Sequence, residues 1–144
     1  LGDYERHLDP LLPDTETQIE THSNIIYPGG KSDVRPYLAL SDLLVFPSYR
    51  EGFPNVVMEA GAMGLASVVT NINGCNEIIE EGSNGLIVPV KDSHALYAAM
   101  RTLYMDRQLL TKMAGNARQS IKDRYERRYI WEEMFAKYKE LTGI

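Results

Sequence analysis

The sequence predicts an α/β fold built on a parallel sheet, and three observations carry that prediction. Residues 43–46, 66–70 and 86–88 are short, continuous apolar runs of the kind found in strands buried on both faces. Stretches with helical periodicity separate and follow them. Pro47, Gly64, Gly82 and Pro89 punctuate the boundaries. Strands that alternate with helices in this way imply βαβ units, and their right-handed crossovers place helices on both sheet faces. The expected whole is an incomplete Rossmann-like parallel sheet with a helical C-terminal extension.

Taken in order, residues 12–23 suit a short helix. Residues 24–27 (N-I-I-Y) read as a β-rich strand that Pro28-Gly29-Gly30 ends. Asp33 suits the cap of a helix through Leu40, with Val34, Tyr37, Leu38 and Leu40 on one side. After the strand at 43–46, Pro54 sits at the first position of a helix that Asn55 to Met63 continue. The strand at 66–70 follows, then a polar turn at 71–74 and a short helix over 76–81. Beyond the strand at 86–88, Asp92 or Ser93 caps a helix to Met105. Two more helices are expected over 107–125 and 128–141.

Composition sets limits on function. The chain has 144 residues, one domain's worth, and 44% are apolar, enough for a core. The formal net charge is -5, a poor match to duplex nucleic acid, whose binding rests on phosphate neutralisation. Cys75 is the single cysteine, so neither an internal disulfide nor a cysteine-based zinc site is available. His7, His22 and His94 show no metal-ligand spacing. No apolar run reaches the roughly 18 residues of a membrane span. The first residues lack the basic and apolar regions of a signal peptide and do not start with Met. The chain therefore reads as a cut made inside a longer one.

In an open parallel sheet, ligands sit beyond the carboxyl ends of the strands. The richest such place is the loop Pro47-Ser48-Tyr49-Arg50-Glu51-Gly52-Phe53-Pro54-Asn55. Gly52 allows close backbone approach. The helix start near Phe53 to Val56 offers unpaired N–H groups and the positive dipole end, which suit a diphosphate. Glu51 precedes the helix and Glu59 lies inside it, and carboxylates accept charge-assisted hydrogen bonds from sugar hydroxyls. A solvated or ion-paired Glu59 on an ordinary helix satisfies the same spacing.

The stretch from Ser41-Asp42 through Pro47-Ser48-Tyr49-Arg50-Glu51-Gly52-Phe53-Pro54 to Glu59-Ala60 resembles the signature of retaining GT-B glycosyltransferases of family 4, the glycosyl transferases group 1. That signature has an S-D pair, a buried strand, P-S-x-x-E-G-F and a second Glu making E-x7-E. The resemblance continues through Val68-Val69-Thr70, Gly74-Cys75-Asn76-Glu77, Gly82-Ser83-Asn84-Gly85 and Val88-Pro89. It covers nearly the whole chain after residue 24.

The resemblance implies roles for individual residues. Glu51 would contact hydroxyls of the donor sugar and is the catalytic candidate. The amides of Gly52, Phe53, Asn55 and Val56 would hold the donor diphosphate, since Pro54 has no N–H. Glu59 would contact the ribose. Gly29, Gly30 and Lys31 would lie near the nucleobase, and Arg50 near the diphosphate. Family members usually read Gly-Gly-x-x-Glu where this chain has Asn73-Gly74-Cys75-Asn76-Glu77, and Glu77 is expected to support its helix start. Leu1-Gly2-Asp3-Tyr4 looks like the end of a further strand. The family's early strand with its Arg and Lys pair, and its N-terminal acceptor domain, are expected to lie outside this chain.

The implied function is donor binding in a glycosyltransferase. It would move a sugar from a nucleotide-diphosphate sugar, with UDP the expected nucleotide, to a glycan or lipid-linked acceptor with retention of configuration. Neither a cofactor nor a metal ion is expected. The wording of the loop looks most like bacterial enzymes of capsule, O-antigen or exopolysaccharide assembly. The chain alone is expected to be inactive and to associate through exposed strand edges. The expected location is cytoplasmic, peripheral on the inner membrane face in the longer protein. Two rivals share the scaffold: a non-catalytic α/β assembly module, and another GT-B-like nucleotide-sugar enzyme such as an epimerase or phosphorylase.

Overall fold

The computed structural model describes residues 10–143, so the strand end expected at Leu1-Gly2-Asp3-Tyr4 lies outside the described residues. The chain divides into two compact units, residues 1–36 and 37–144, and each is described by itself.

In the first unit, Pro13 opens α1 (Pro13–Thr21), which has no side-chain cap and buries no residue. Residues 24–27 form no strand, against the sequence expectation. The Ile25 N–H turns back to the His22 carbonyl at 3.0 Å, a local turn bond in place of an extended one, and Ile26 is 88% exposed. Asp33 accepts hydrogen bonds from the Arg35 backbone N–H and, at 2.8 Å each, from its Nε and an Nη. The guanidinium hydrogen bonds hold the Asp33 carboxyl down at about 2. Helix α2 (Arg35–Leu40) crosses the boundary between the units.

The second unit is a parallel three-stranded sheet of β1 (Leu43–Phe46), β2 (Ala66–Thr70) and β3 (Gly85–Val88), in that spatial order. Leu43 stands opposite Ala66, and Ser67 opposite Gly85. Each residue of β2 is buried, as a central strand requires, while β1 is half-buried throughout. Between the strands run α3 (Asn55–Ala62) and α4 (Cys75–Ile78). After them come α5 (Ser93–Met105), α6 (Arg107–Tyr125) and α7 (Arg127–Thr142). Asp92 and Asp106 cap α5 and α6 by accepting the N–H groups of Ala95 and Leu109 at 2.9 Å.

Alternation along the strands splits the core into two layers. On one face Ala66, Val68 and Val88 pack with Ala99, Leu103, Leu110 and Met113 of α5 and α6. On the other, Val69 packs with Val57, Cys75, Ile78 and Ile79, and Ile121 and Tyr125 close over them. Helix α6 thus serves one layer with its first half and the other with its last turns.

The short helix after the turn ends earlier than the sequence suggests. Buried Asn84 accepts the Glu80 N–H at 2.8 Å and donates to the Ile78 carbonyl at 3.1 Å. Those bonds take the groups that another helical turn would use, so the chain leaves α4 at Ile79.

Candidate functional site

The loop of residues 47–54 leaves the carboxyl end of β1 and enters α3. Two hydrogen bonds fix its shape. The Ser48 hydroxyl donates to Glu51 Oε1 at 2.7 Å, and the Thr70 hydroxyl, at the end of β2, donates to the Ser48 carbonyl. The loop rests against the turn that opens α4. A Cβ on Gly74 would stand 2.3 Å from the Gly52 carbonyl oxygen and 2.9 Å from Pro54 Cδ, and Gly74 has φ 78°. Only glycine meets both demands at low cost. Glu77 supports this turn, since its carboxylate accepts the Gly74 N–H at 3.2 Å. Its role here is structural, as expected.

The end of α6 holds the arrangement from outside. The Phe53 ring meets Tyr125 edge to face, with centroids 5.4 Å apart. Arg124 and the Tyr125 hydroxyl both donate to the Glu77 carbonyl, at 2.6 and 3.1 Å. Burial raises the Tyr125 phenol, so it stays protonated and able to donate.

Helix α3 begins one residue later than the sequence suggests. Pro54 is the N-cap, with an extended ψ of 108°, and Asn55 is the first helical residue. No side chain caps this end. The Pro54 carbonyl accepts from Val57 at 3.1 Å and Met58 at 3.4 Å, which leaves the amides of Asn55 and Val56 outside the helical ladder. Pro54 itself is buried, whereas Gly52, Phe53 and Asn55 beside it are exposed and Val56 is half-buried, so the helix tip is partly open to solvent. Val57, Ala60 and Gly61 face the core. Asn55 and Glu59, four residues apart, share the exposed face. Helical side chains lean toward the N-terminus, which carries the Glu59 carboxylate toward the open tip. Half-buried Glu51 lies just before that tip. Glu51, Gly52, Phe53, Asn55 and Val56 thus flank one helix start, and Glu59 lies one turn inside the helix. Arg50 is exposed in the same loop, while Gly29, Gly30 and Lys31 belong to a loop of the first unit, where Gly29 has φ 70°.

Cys75 lies beside this cluster. Burial, reinforced by the negative charge of Glu51, pushes its thiol up to about 11. A thiol so placed is no nucleophile near neutral pH.

A cavity of about 450 Å3 opens at the carboxyl ends of all three strands, lined in part by Pro47, Tyr49, Thr70, Lys91 and Leu96. The Lys91 ammonium stands 5.6 Å from the centre of the Tyr49 ring, and Lys91 has φ 58°. The sequence reading missed Thr70, Tyr49, Lys91 and Tyr125. Their one signal was position: Thr70 ends an apolar run and Lys91 follows a strand-ending proline. Among the described residues, no group of three or more His, Cys, Asp or Glu is placed to hold a metal ion. No helix among them is long and apolar enough to cross a membrane.

The chain is an α/β domain with a parallel sheet and an uncapped helix start at the carboxyl end of β1. The chain belongs to the glycosyl transferases group 1 family, whose model matches residues 2–106. It is 30% identical over 115 residues to the capsular polysaccharide biosynthesis glycosyltransferase CapM of Staphylococcus aureus, covering 80% of this chain and 30% of that protein. It is 40% identical over 93 residues to an N,N'-diacetylbacillosaminyl-diphospho-undecaprenol alpha-1,3-N-acetylgalactosaminyltransferase of Campylobacter jejuni, covering 65% of this chain and 25% of that one. The chain thus spans about a third or less of the length of these relatives.

Solved structures agree on the fold. Anabaena Alr3699/HepE in complex with UDP superposes with a TM-score of 0.81 at 24% identity, covering 91% of this chain and 36% of that one. The C-terminal domain of a glycosyl transferase group 1 family protein (LpcC) from Francisella tularensis gives a TM-score of 0.70 at 26% identity, covering 79% and 60%. The α/β architecture expected from the sequence is that of GT-B glycosyltransferases.

Proposed function

We propose that this chain is the donor-binding part of a glycosyltransferase that transfers a sugar from a UDP-sugar to a glycan or lipid-linked acceptor with retention of configuration. The observation that carries this reading is the open start of α3, with Glu51 just before it and Glu59 on the same exposed face as Asn55. In this reading the amides of Gly52, Phe53, Asn55 and Val56 hold the diphosphate, and Arg50 adds charge beside it. The helix dipole and these amides stabilise the charge that develops on the leaving diphosphate. Glu51 orients the donor sugar and Glu59 accepts from the ribose hydroxyls. Gly29, Gly30 and Lys31 are assigned to the nucleobase on the resemblance alone.

Related proteins support the substrate class. HepE has been solved with UDP and with UDP-glucose. Two relatives are named for acceptors on diphospho-undecaprenol or GlcNAc-diphosphoundecaprenol. In the proposed protein an N-terminal domain supplies the acceptor pocket, the chemistry needs no metal ion, and the enzyme works at the cytoplasmic face of the membrane. This chain alone is then inactive as a transferase, and the half-buried β1 edge favours self-association.

Thermal melting with UDP tests the reading. A ligand that binds only the folded state adds about 2.7 kcal/mol at one hundred times its dissociation constant. UDP is expected to raise the melting temperature, and Glu59→Ala to weaken that rise. No shift with millimolar UDP would overturn the assignment and favour the assembly-module alternative.

A further inference from the structure

We infer that Thr70 and Ser48 are positioning residues that aim the Glu51 carboxylate at the donor sugar. The inference rests on the proposed donor-binding role of Glu51 and extends it to specificity. Glu51 sits in a loop, where a glutamate has three side-chain torsions and no strand or helix ladder to order its backbone. The structure removes that freedom in two steps. Thr70, 2% exposed at the end of the central strand, donates its hydroxyl proton to the Ser48 carbonyl. Ser48, so anchored, donates its own hydroxyl proton to Glu51 Oε1 at 2.7 Å. The loop is thereby tied to β2, whose five residues are all buried. Ser48 occupies Oε1, so the proposed contact with the sugar falls to Oε2. A carboxylate ordered before the ligand arrives loses less entropy on binding than one that must be ordered by it.

The prediction separates the sugar from the nucleotide. Affinities for UDP and for UDP-glucose, UDP-galactose and UDP-N-acetylglucosamine are to be measured by calorimetry on the whole chain. The best-bound sugar nucleotide then serves as the probe. Thr70→Val and Ser48→Ala are each expected to lower the affinity ratio of that probe to UDP by about tenfold, the effect of one lost charge-assisted hydrogen bond. Thr70→Ser, which keeps the hydroxyl, should restore the ratio. The double variant should lose no more than either single variant, because both break one chain of contacts. Ser48→Ala lies outside the core and guards against a Thr70→Val that fails to fold; melting temperatures check both. Glu51→Gln divides the outcomes. If it lowers the ratio while Thr70→Val and Ser48→Ala do not, the positioning role is overturned and the donor reading stands. If Glu51→Gln leaves the ratio unchanged, or the chain binds no UDP, the donor reading fails and the positioning role falls with it.

Discussion

Cys75 reports on Glu51 at the scale of single residues. Its thiol lies near 11, first because burial disfavours the thiolate and then because Glu51 repels it. Glu51→Gln is expected to lower that value while leaving it above the ordinary thiol range, measured as the pH dependence of thiolate ultraviolet absorbance against a Cys75→Ala control. Linkage follows with a definite sign. The folded thiol holds its proton more tightly than the unfolded one, so its contribution is fully present below the unfolded value near 9 and is lost as pH rises toward 11. Gly74 makes a second prediction. Gly74→Ala adds a Cβ 2.3 Å from a backbone oxygen at a φ of 78°, and should cost at least about 2 kcal/mol in urea unfolding. It should also weaken UDP binding, because the displaced atoms belong to Gly52 and Pro54. Glu51 and Glu59 were candidates from the sequence because they match the family signature, whereas their spacing alone fits an ordinary helix as well. Thr70 and Tyr125 were not, because each acts on a residue more than twenty positions away.

Elements of this fold are set by close approach as much as by periodicity. The interior of α3 meets α6 at Gly61, where an added Cβ would stand 2.7 Å from Ile121 Cγ1. Alanine would favour the helix by up to about 1 kcal/mol, but overpacking a stiff β-branched neighbour costs about 1–3 kcal/mol. Gly61→Ala is therefore expected to destabilise the chain. In an Ile121→Ala background the same change should become neutral or stabilising, as a double-mutant cycle in urea would show. The sequence predicted α3, α5, α6 and α7 nearly to their ends because their periods and caps are local. It placed the end of α4 too late, because the side chain that ends it belongs to Asn84, beyond the next turn. It also made a strand of residues 24–27 from a β-rich run and the breaker after it, where the Ile25 N–H bonds back to the His22 carbonyl.

Across the whole molecule, stability is concentrated in the two layers around the sheet. Helix α7 buries none of its described residues, and Trp131, Phe135 and Tyr138 are each more than half exposed. A chain ending after Glu126 should therefore melt within about 4 °C of the full chain, the shift that about 1 kcal/mol gives a domain of this size. A larger drop would show that the α7 aromatics are covered in solution, as in the self-association proposed for this chain. Light scattering on both forms would separate that association from one through the β1 edge, which the truncation leaves intact.

The sequence by itself determined the alternation of buried strands and amphipathic helices, the loop that joins β1 to a helix start, and the E-x7-E spacing of Glu51 and Glu59. Those features are written in neighbouring residues, through period, breakers and spacing. Only the tertiary structure decided that Thr70 would reach Ser48, that Gly74 would press on Gly52, and that α6 would close over Phe53 and Glu77. Such contacts depend on strand register and on how helices pack across a sheet, and no local pattern in the chain encodes them.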